Sequence, residues 1–280
     1  MTTSDAAAAR QTSDRTLRCA ASILRDGAAG RTPLIDLLDE ELDALIEETG
    51  AVRAPVWAPW SDDHDELLRV ARPVVRRSLL HRRLLVPEAL AAELEDREPE
   101  IDPQHLVSAP AVAGILLLRR SAQSVSTGVR TFMVEGGTRE LRWVHFHQSG
   151  GTSLEELVTA EGEHSFSVLP TSSVGERLAE LVDPRSVAAE DGAVRCLPAD
   201  SPPEDWGGSI AEGTTHLSRL VATTPDAAEA RAVTVSVTGE GVHLVEGATE
   251  DGQEILRIAE VSADSLSRIL SGLVHTTTEA

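Results

Sequence analysis

Alternating apolar and polar positions give way to helical spacing twice in the second half of the chain, each time across a small polar cap. The first switch runs through Ser165-Phe166-Ser167-Val168-Leu169, a cap at Thr171 to Ser173, and then Val174, Leu178, Leu181 and Val182. The second runs through Arg257-Ile258-Ala259-Glu260-Val261, a cap at Ser262 to Asp264, and then Leu266, Leu270, Leu273 and Val274. The copies lie 92 residues apart, so that Phe166 matches Ile258 and Leu169 matches Val261. Within residues 162–182 only Ser173, Leu178, Leu181 and Val182 are identical in the second copy; the physical pattern repeats, not the letters. A hairpin is predicted ahead of each copy. The first joins Val129–Val134 to Glu140–His147 across Gly136-Gly137, and the second joins Ala232–Thr238 to Val242–Glu246 across Gly239-Glu240-Gly241. Strands near Glu163–Leu169 and Glu254–Val261 follow, and a short helix is predicted near Leu217–Ala222. The fold class is therefore α+β, a pseudo-two-fold repeat of β-hairpin–strand–helix units behind an N-terminal helical region.

The preceding residues carry helical spacing. Leu17, Ile23 and Leu24 mark a short helix ending near Gly27. A stronger one is predicted from Thr32, with Pro33 at its first position, to Gly50; it places Leu34, Ile35, Leu38, Leu42, Leu45 and Ile46 on one face. Trp57 and Trp60 sit in a proline-rich segment that must be extended. The next helix starts at Ser61 under Asp62, Asp63, Asp65 and Glu66, is expected to kink or split at Pro73, and resumes through Leu84. Another starts at Pro87 and ends before Pro99, while Ile115–Leu118 fits either a buried strand or a helix. These elements divide the chain into a mobile segment with a short helix (1–30), a helical region (31–110) and a first α+β half (111–183). A proline- and glycine-rich linker (184–213) and a second half (214–280) complete one compact body.

Composition narrows the function. With 46 acidic against 25 basic residues the net charge is −21, which opposes nucleic acid and anionic membrane partners. Every basic residue is arginine, as a GC-rich genome favours, and tyrosine is absent. No lysine means no P-loop lysine and no Schiff base. Cys19 and Cys196 form no metal or disulfide spacing, and no long apolar run suits a signal peptide or a membrane span, so a cytoplasmic protein is expected.

Candidate chemistry is sparse. His145 and His147 point to one face of a strand, but the sequence places no third metal ligand, and an ordinary structural pair is the plainer expectation. Gln148-Ser149-Gly150-Gly151 lacks the glycine that a nucleophile elbow needs at His147. Arginines 69, 72, 76, 77, 82 and 83 would suit a winged-helix regulator with the Gly136-Gly137 hairpin as wing, or simply a solvated helix face beside acidic residues. No spacing singles out a carboxylate pair, so no catalytic, cofactor or metal residues are assigned.

The element order resembles the EspG family of type VII (ESX) secretion-associated proteins of actinobacteria, over most of residues 34–274. The resemblance rests on the Leu42–Leu45 helix, on Ser78-Leu-Leu-His-Arg-Arg-Leu-Leu85, and on Asp102-Pro103 leading to Ala109-Pro110. It rests also on the strand-to-helix ending Ser167-Val-Leu-Pro-Thr-Ser-Ser-Val-Gly-Glu-Arg-Leu-Ala-Glu-Leu-Val182. The chain departs from the family at Thr249-Glu250-Asp251-Gly252, where an aspartate-threonine and glycine-arginine pair is common. The resemblance implies a cytosolic chaperone or adaptor, not an enzyme. Such a protein binds a small helical secreted protein or heterodimer and keeps it soluble for export, with no cofactor. A winged-helix regulator and an enzyme of unrecognised class are the alternatives. The connection between His147 and Thr152 has no counterpart in the second hairpin unit as predicted. Trp143, His145, His147, Gln148, Ser149, Gly150, Gly151 and Thr152 are accordingly the expected partner-binding residues.

Overall fold

A computed structural model describes residues 14–49, 64–99, 101–133, 139–206, 210, 213–223, 231–250 and 252–275. The tryptophan segment at 57–60, the acidic cap at 62–63, the Gly136-Gly137 turn and the N-terminal segment 1–13 lie outside them. By contacts the chain divides into two compact units, one built from residues up to Asp26 and from Leu37–Ser121, the other from Gly27–Asp36 and Ala122 onward.

The first unit is largely helical: α1 (Asp14–Gly27), α2 (Asp39–Thr49), α3 (His64–His81), α4 (Glu88–Leu94) and α5 (Pro110–Ser121). The strand or helix left open at Ile115–Leu118 is helix, with residues 112–118 buried all round. Helix α3 runs unbroken through Pro73 and stops at His81. Glu41 of α2, buried, accepts from Arg82 in the turn after α3, from Ser78 Oγ of α3 at 3.1 Å and from Leu38 N–H at 3.2 Å. The last of these is the N3-to-N-cap half of a capping box at the start of α2; Leu38 has no side-chain oxygen to make the other half. Arg15 of α1 joins Glu95 at 2.7 Å and the Ser108 carbonyl at 2.9 Å, which ties α1 to the far end of the helical region.

Residues Thr32–Leu38, expected as helix, form strand β1 instead, and the helix begins only at Asp39. Their apolar spacing satisfies both periods, and Pro33 is admissible because β1 is a sheet edge, where a missing N–H breaks no ladder. Strands β2 (Leu85–Pro87) and β3 (Leu106–Ser108) pair separately.

The second unit is one ten-stranded sheet with the helices Val174–Val182 and Ala263–His275 on one face. Its strands are β4 (Ser124–Met133), β5 (Arg139–Ser149), β6 (Thr152–Thr159), β7 (Glu163–Pro170), β8 (Arg195–Pro198), β9 (His216–Thr223), β10 (Arg231–Val237), β11 (Val242–Glu250) and β12 (Gln253–Glu260), with β1 added. The order is β1-β7-β6-β5-β4-β9-β10-β11-β12-β8, antiparallel from β7 through to β8; it is the same four-stranded meander read outward from the centre in both directions. At the centre Gly128 of β4 pairs with Leu220 of β9, its own counterpart 92 residues on. The predicted helix at Leu217–Ala222 is thus the strand β9; its alternation of exposed and buried residues (Leu217 exposed, Ser218 buried, Arg219 exposed, Leu220 buried) is that of a strand.

This topology corrects the expected inequality of the halves. The first hairpin matches β9–β10, not β10–β11, and β6, unrecognised in the sequence, is the counterpart of β11. Rows across the sheet correspond position by position. Ser126–Phe146–Glu155–Ser167 in one half stands where Ser218–Val235–Leu244–Ala259 stands in the other. The connection at Ser149–Thr152 is therefore an ordinary strand-to-strand turn. Strands β4 and β5 are flanked by β9 and β6, so their described residues lie in the interior of the sheet. Part of the predicted linker forms the edge strand β8, paired with β12.

Helices α6 (Val174–Val182) and α7 (Ala263–His275) close one face and pack on each other. The core beneath them joins Val144, Phe146, Leu169, Leu220, Val235 and Leu244 to Leu178, Val182, Leu266 and Leu270. Helix α7 is capped from afar. Asp191 accepts from Ser262 N–H and Ser265 Oγ, each at 2.8 Å, and these bonds hold its carboxyl below the usual carboxylate range. Because the folded state favours the ionised form, the cap stabilises fully above the ordinary pKa of about 4 and is lost as pH falls through the depressed folded value. Asp191→Asn should lower the melting temperature at pH 7, and the gap to wild type should close in acid; a gap independent of pH would refute the cap.

Candidate functional site

The eight residues expected at the site occupy β5, the turn after it and the first residue of β6. Period two sends Trp143, His145 and His147 to one face of the sheet, beside Glu156 of β6 and His164 and Phe166 of β7. All six are buried, as are Gln148 and Thr152; only Ser149, Gly150 and Gly151 reach solvent. The expected contact surface thus contracts to the turn, since a buried imidazole or indole cannot meet a partner directly. Gly150 has φ 63°, the left-handed value that a two-residue hairpin turn with glycine first requires. Both turn residues are anchored. Gly150 N–H donates to Gln123 Oε1 at 3.2 Å, and the Gly151 carbonyl accepts from Thr171 N–H at 2.9 Å.

Behind the turn lies a polar cluster that sequence reasoning missed. The Glu156 carboxylate, 0% exposed, accepts from His147 Nε2 at 2.9 Å and from His164 Nδ1 at 2.7 Å. With Glu156 ionised the carboxylate only accepts, and each imidazole then presents an N–H to it. His145 lies beside it, Nδ1 at 3.0 Å from Thr127 Oγ1 and its ring 6.2 Å from that of His147. Among the described residues no group of three histidines, cysteines or acids is arranged to hold a metal ion. The cluster's chemistry is hydrogen bonding: it orients the side chains under the turn.

Glu155, its neighbour, points to the opposite face and is equally buried. It receives Arg31 Nε at 2.8 Å, Arg177 Nε at 2.9 Å and Ser167 Oγ at 2.8 Å. The second half carries Val245 where Glu156 stands and Leu244 where Glu155 stands. The halves differ in chemistry, not in chain length. The one sequence signal was two adjacent glutamates between Leu154 and Leu157, which alternation would drive to opposite buried faces once β6 is known to be a central strand.

Apolar surface is found elsewhere. Val70 and Val74, one turn apart on α3, are 66% and 62% exposed, and Leu94, one turn after Leu90 on α4, is 71% exposed. Both cysteines are free. Among the described residues no helix is long and apolar enough to cross a membrane.

No protein-family model matches the chain, and no curated protein sequence does. The fold, however, is similar to that of a solved Mycobacterium tuberculosis protein, the type VII secretion system chaperone EspG5, whose structure was determined in complex with the PE25–PPE41 dimer. The TM-score is 0.55 at 8% identity, and the match covers 88% of this chain and 96% of the other. Likeness at this identity shows that the two proteins share an α+β fold.

Proposed function

We propose that this protein is a cytoplasmic chaperone or adaptor of type VII secretion. It binds a small helical secreted protein or heterodimer and keeps it soluble until export. The observation that carries this reading is a fold match nearly end to end with the type VII secretion system chaperone EspG5, a protein solved in complex with the PE25–PPE41 dimer. The physical requirements are modest: no catalytic group, a polar rim for selectivity, apolar surface to cover, and charge to keep the loaded complex dispersed. A net charge of −21 supplies the last, and the exposed side chains of α3 and α4 supply apolar surface. We place a contact at the Ser149-Gly150-Gly151 turn, with Trp143, His145, His147, Gln148 and Thr152 as its buried support.

The test is co-purification from native lysate followed by size-exclusion chromatography with any helical secreted protein recovered. Failure to recover one from a type VII-competent host would remove the reading. The contact is tested separately by Gly151→Glu, because a Cβ there meets nothing within 4 Å and the turn keeps its geometry. The complex should weaken about 10-fold, the scale of an added unpaired charge at an interface, with the melting temperature unchanged. Leu94→Asp serves as the comparison on α4. If Gly151→Glu leaves affinity intact and Leu94→Asp abolishes it, the partner is held by the helices.

A further inference from the structure

We propose that the outer face of α3 is a docking surface for an acidic amphipathic helix of a partner protein. Helix α3 has two apolar sides. One packs inward: Leu79 is fully buried, and Ser78 beside it bonds to Glu41 of α2. The other carries Val70, Pro73, Val74 and Leu80, which together with Arg77 fall within about a third of the helix circumference. Val70 and Val74 are 66% and 62% exposed, and Leu80 is exposed as well. Such spacing is what a helix uses to bury a face, yet here the face is open. The ridge runs about three turns, or about 15 Å, a length that suits the packing of a second helix along it.

Charge identifies the partner. Residues 67–87 contain six arginines and no carboxylate, in a chain whose net charge is −21. Two of the six are engaged within the fold, Arg82 with Glu41 and Arg72 with Asp43, both acids of α2. Arg77 is placed differently. It is exposed on the ridge between Val74 and Leu80, and its one hydrogen bond among the described residues runs from Nε to the Pro73 carbonyl of its own helix at 3.2 Å. Arg83, exposed in the turn that follows, adds a second cation after the C-terminal end of the helix. A helix with apolar residues along one side and carboxylates beside them complements both features. A second copy of this chain does not, because it would set the same arginines against one another. Nor does nucleic acid: four apolar side chains interrupt the cations, and the chain as a whole repels phosphate. The surface belongs to the helical unit and the Ser149-Gly150-Gly151 turn to the sheet unit, and its chemistry does not depend on a role in secretion.

The probe is a fluorescein-labelled helical peptide of about four turns, with leucine along one side and glutamate on both flanks, titrated with the full chain and followed by anisotropy. A matched peptide carries lysine in place of every glutamate. At about 0.15 M salt the glutamate peptide should bind about 10-fold more tightly than the lysine peptide. The double variant Val70→Gln, Val74→Gln should weaken the glutamate peptide about 10-fold, because two valines that binding would bury are gone. Glutamine keeps the helix, so the melting temperature should not fall. Arg77→Glu should narrow the preference for glutamate over lysine about 3-fold or more, a change that apolar contact alone would not produce. Equal affinity for the two peptides, or a valine variant that binds like wild type, overturns the proposal. So does displacement of the glutamate peptide by a short DNA duplex, which would assign the surface to nucleic acid.

Discussion

Replacing Gly175 by valine should destabilise the sheet unit by about 3 kcal/mol, at the upper end of what overpacking a core costs. Gly175 is on α6 where it crosses α7, and a Cβ there would lie 2.6 Å from Ser271 Cα and 2.7 Å from Ser271 Cβ. Neither contact is with a flexible side-chain tip, so the helices must separate, and with them Leu178 and Leu270 above the core. The repeat explains the crossing. Gly175 and Ala179 on α6 correspond to Ser267 and Ser271 on α7, so each helix offers two small residues a turn apart. For a unit of this size the melting temperature should fall by about 10 °C. Ser271→Gly, which removes the opposing Cβ, should restore part of the loss in the double variant. Valine tolerated at wild-type stability would mean that the helices do not meet there.

The second expected result concerns Glu155. Arg177→Ala should cost about 3 kcal/mol, because it removes one of two cationic partners from a carboxylate that has no access to water. The same chain contains an apolar solution to this position. Leu244, Ala259 and Ile269 stand in the second half where Glu155, Ser167 and Arg177 stand in the first. The triple variant Glu155→Leu, Ser167→Ala, Arg177→Ile should therefore recover to within about 1 kcal/mol of wild type, since apolar residues often replace a buried ion pair at no net cost. Arg31, 44% exposed, can turn to solvent when its partner is gone. Chemical denaturation of the single and triple variants measures both, and a triple variant worse than the single would show that the cluster does more than fill its place.

Most elements were legible because their signals are local. The caps at Thr171–Ser173 and Ser262–Asp264, the prolines at 87 and 110, and the helical spacing after each cap all act within one or two turns. Errors arose where two periods fit the same residues. Leu34, Ile35 and Leu38 suit a helix face as well as the edge strand they form, and Leu217–Ala222 is apolar enough for either. The missed strand β6 had a further cause. Thr152–Thr159 is buried on both faces of the sheet, so it lacks alternation, and its two glutamates make it resemble a polar segment. That one omission shifted the hairpin assignment by a strand and made equal halves look unequal.

The candidate site was legible only as positions. His145 and His147 were correctly placed on one face, but nothing near them in sequence announces Glu156 or His164, which reach them across two ladders. Nor does a local pattern reveal that Trp143 and Gln148 are buried, because exposure depends on what covers a face.

By itself the sequence determined the α+β class, the duplication, the helical preface and the acidic surface. These follow from period, capping and composition, which each residue carries with it. Only the tertiary structure decided that the halves meet at Gly128 and Leu220 and that the turn at Gly150 and Gly151 is the exposed part of the expected site. It alone decided, too, that buried charges mark the first half. Strand neighbours and burial are long-range outcomes: the free energy of putting Glu155 or His147 inside depends on partners that pairing brings from distant positions, and no nearest-neighbour pattern encodes them.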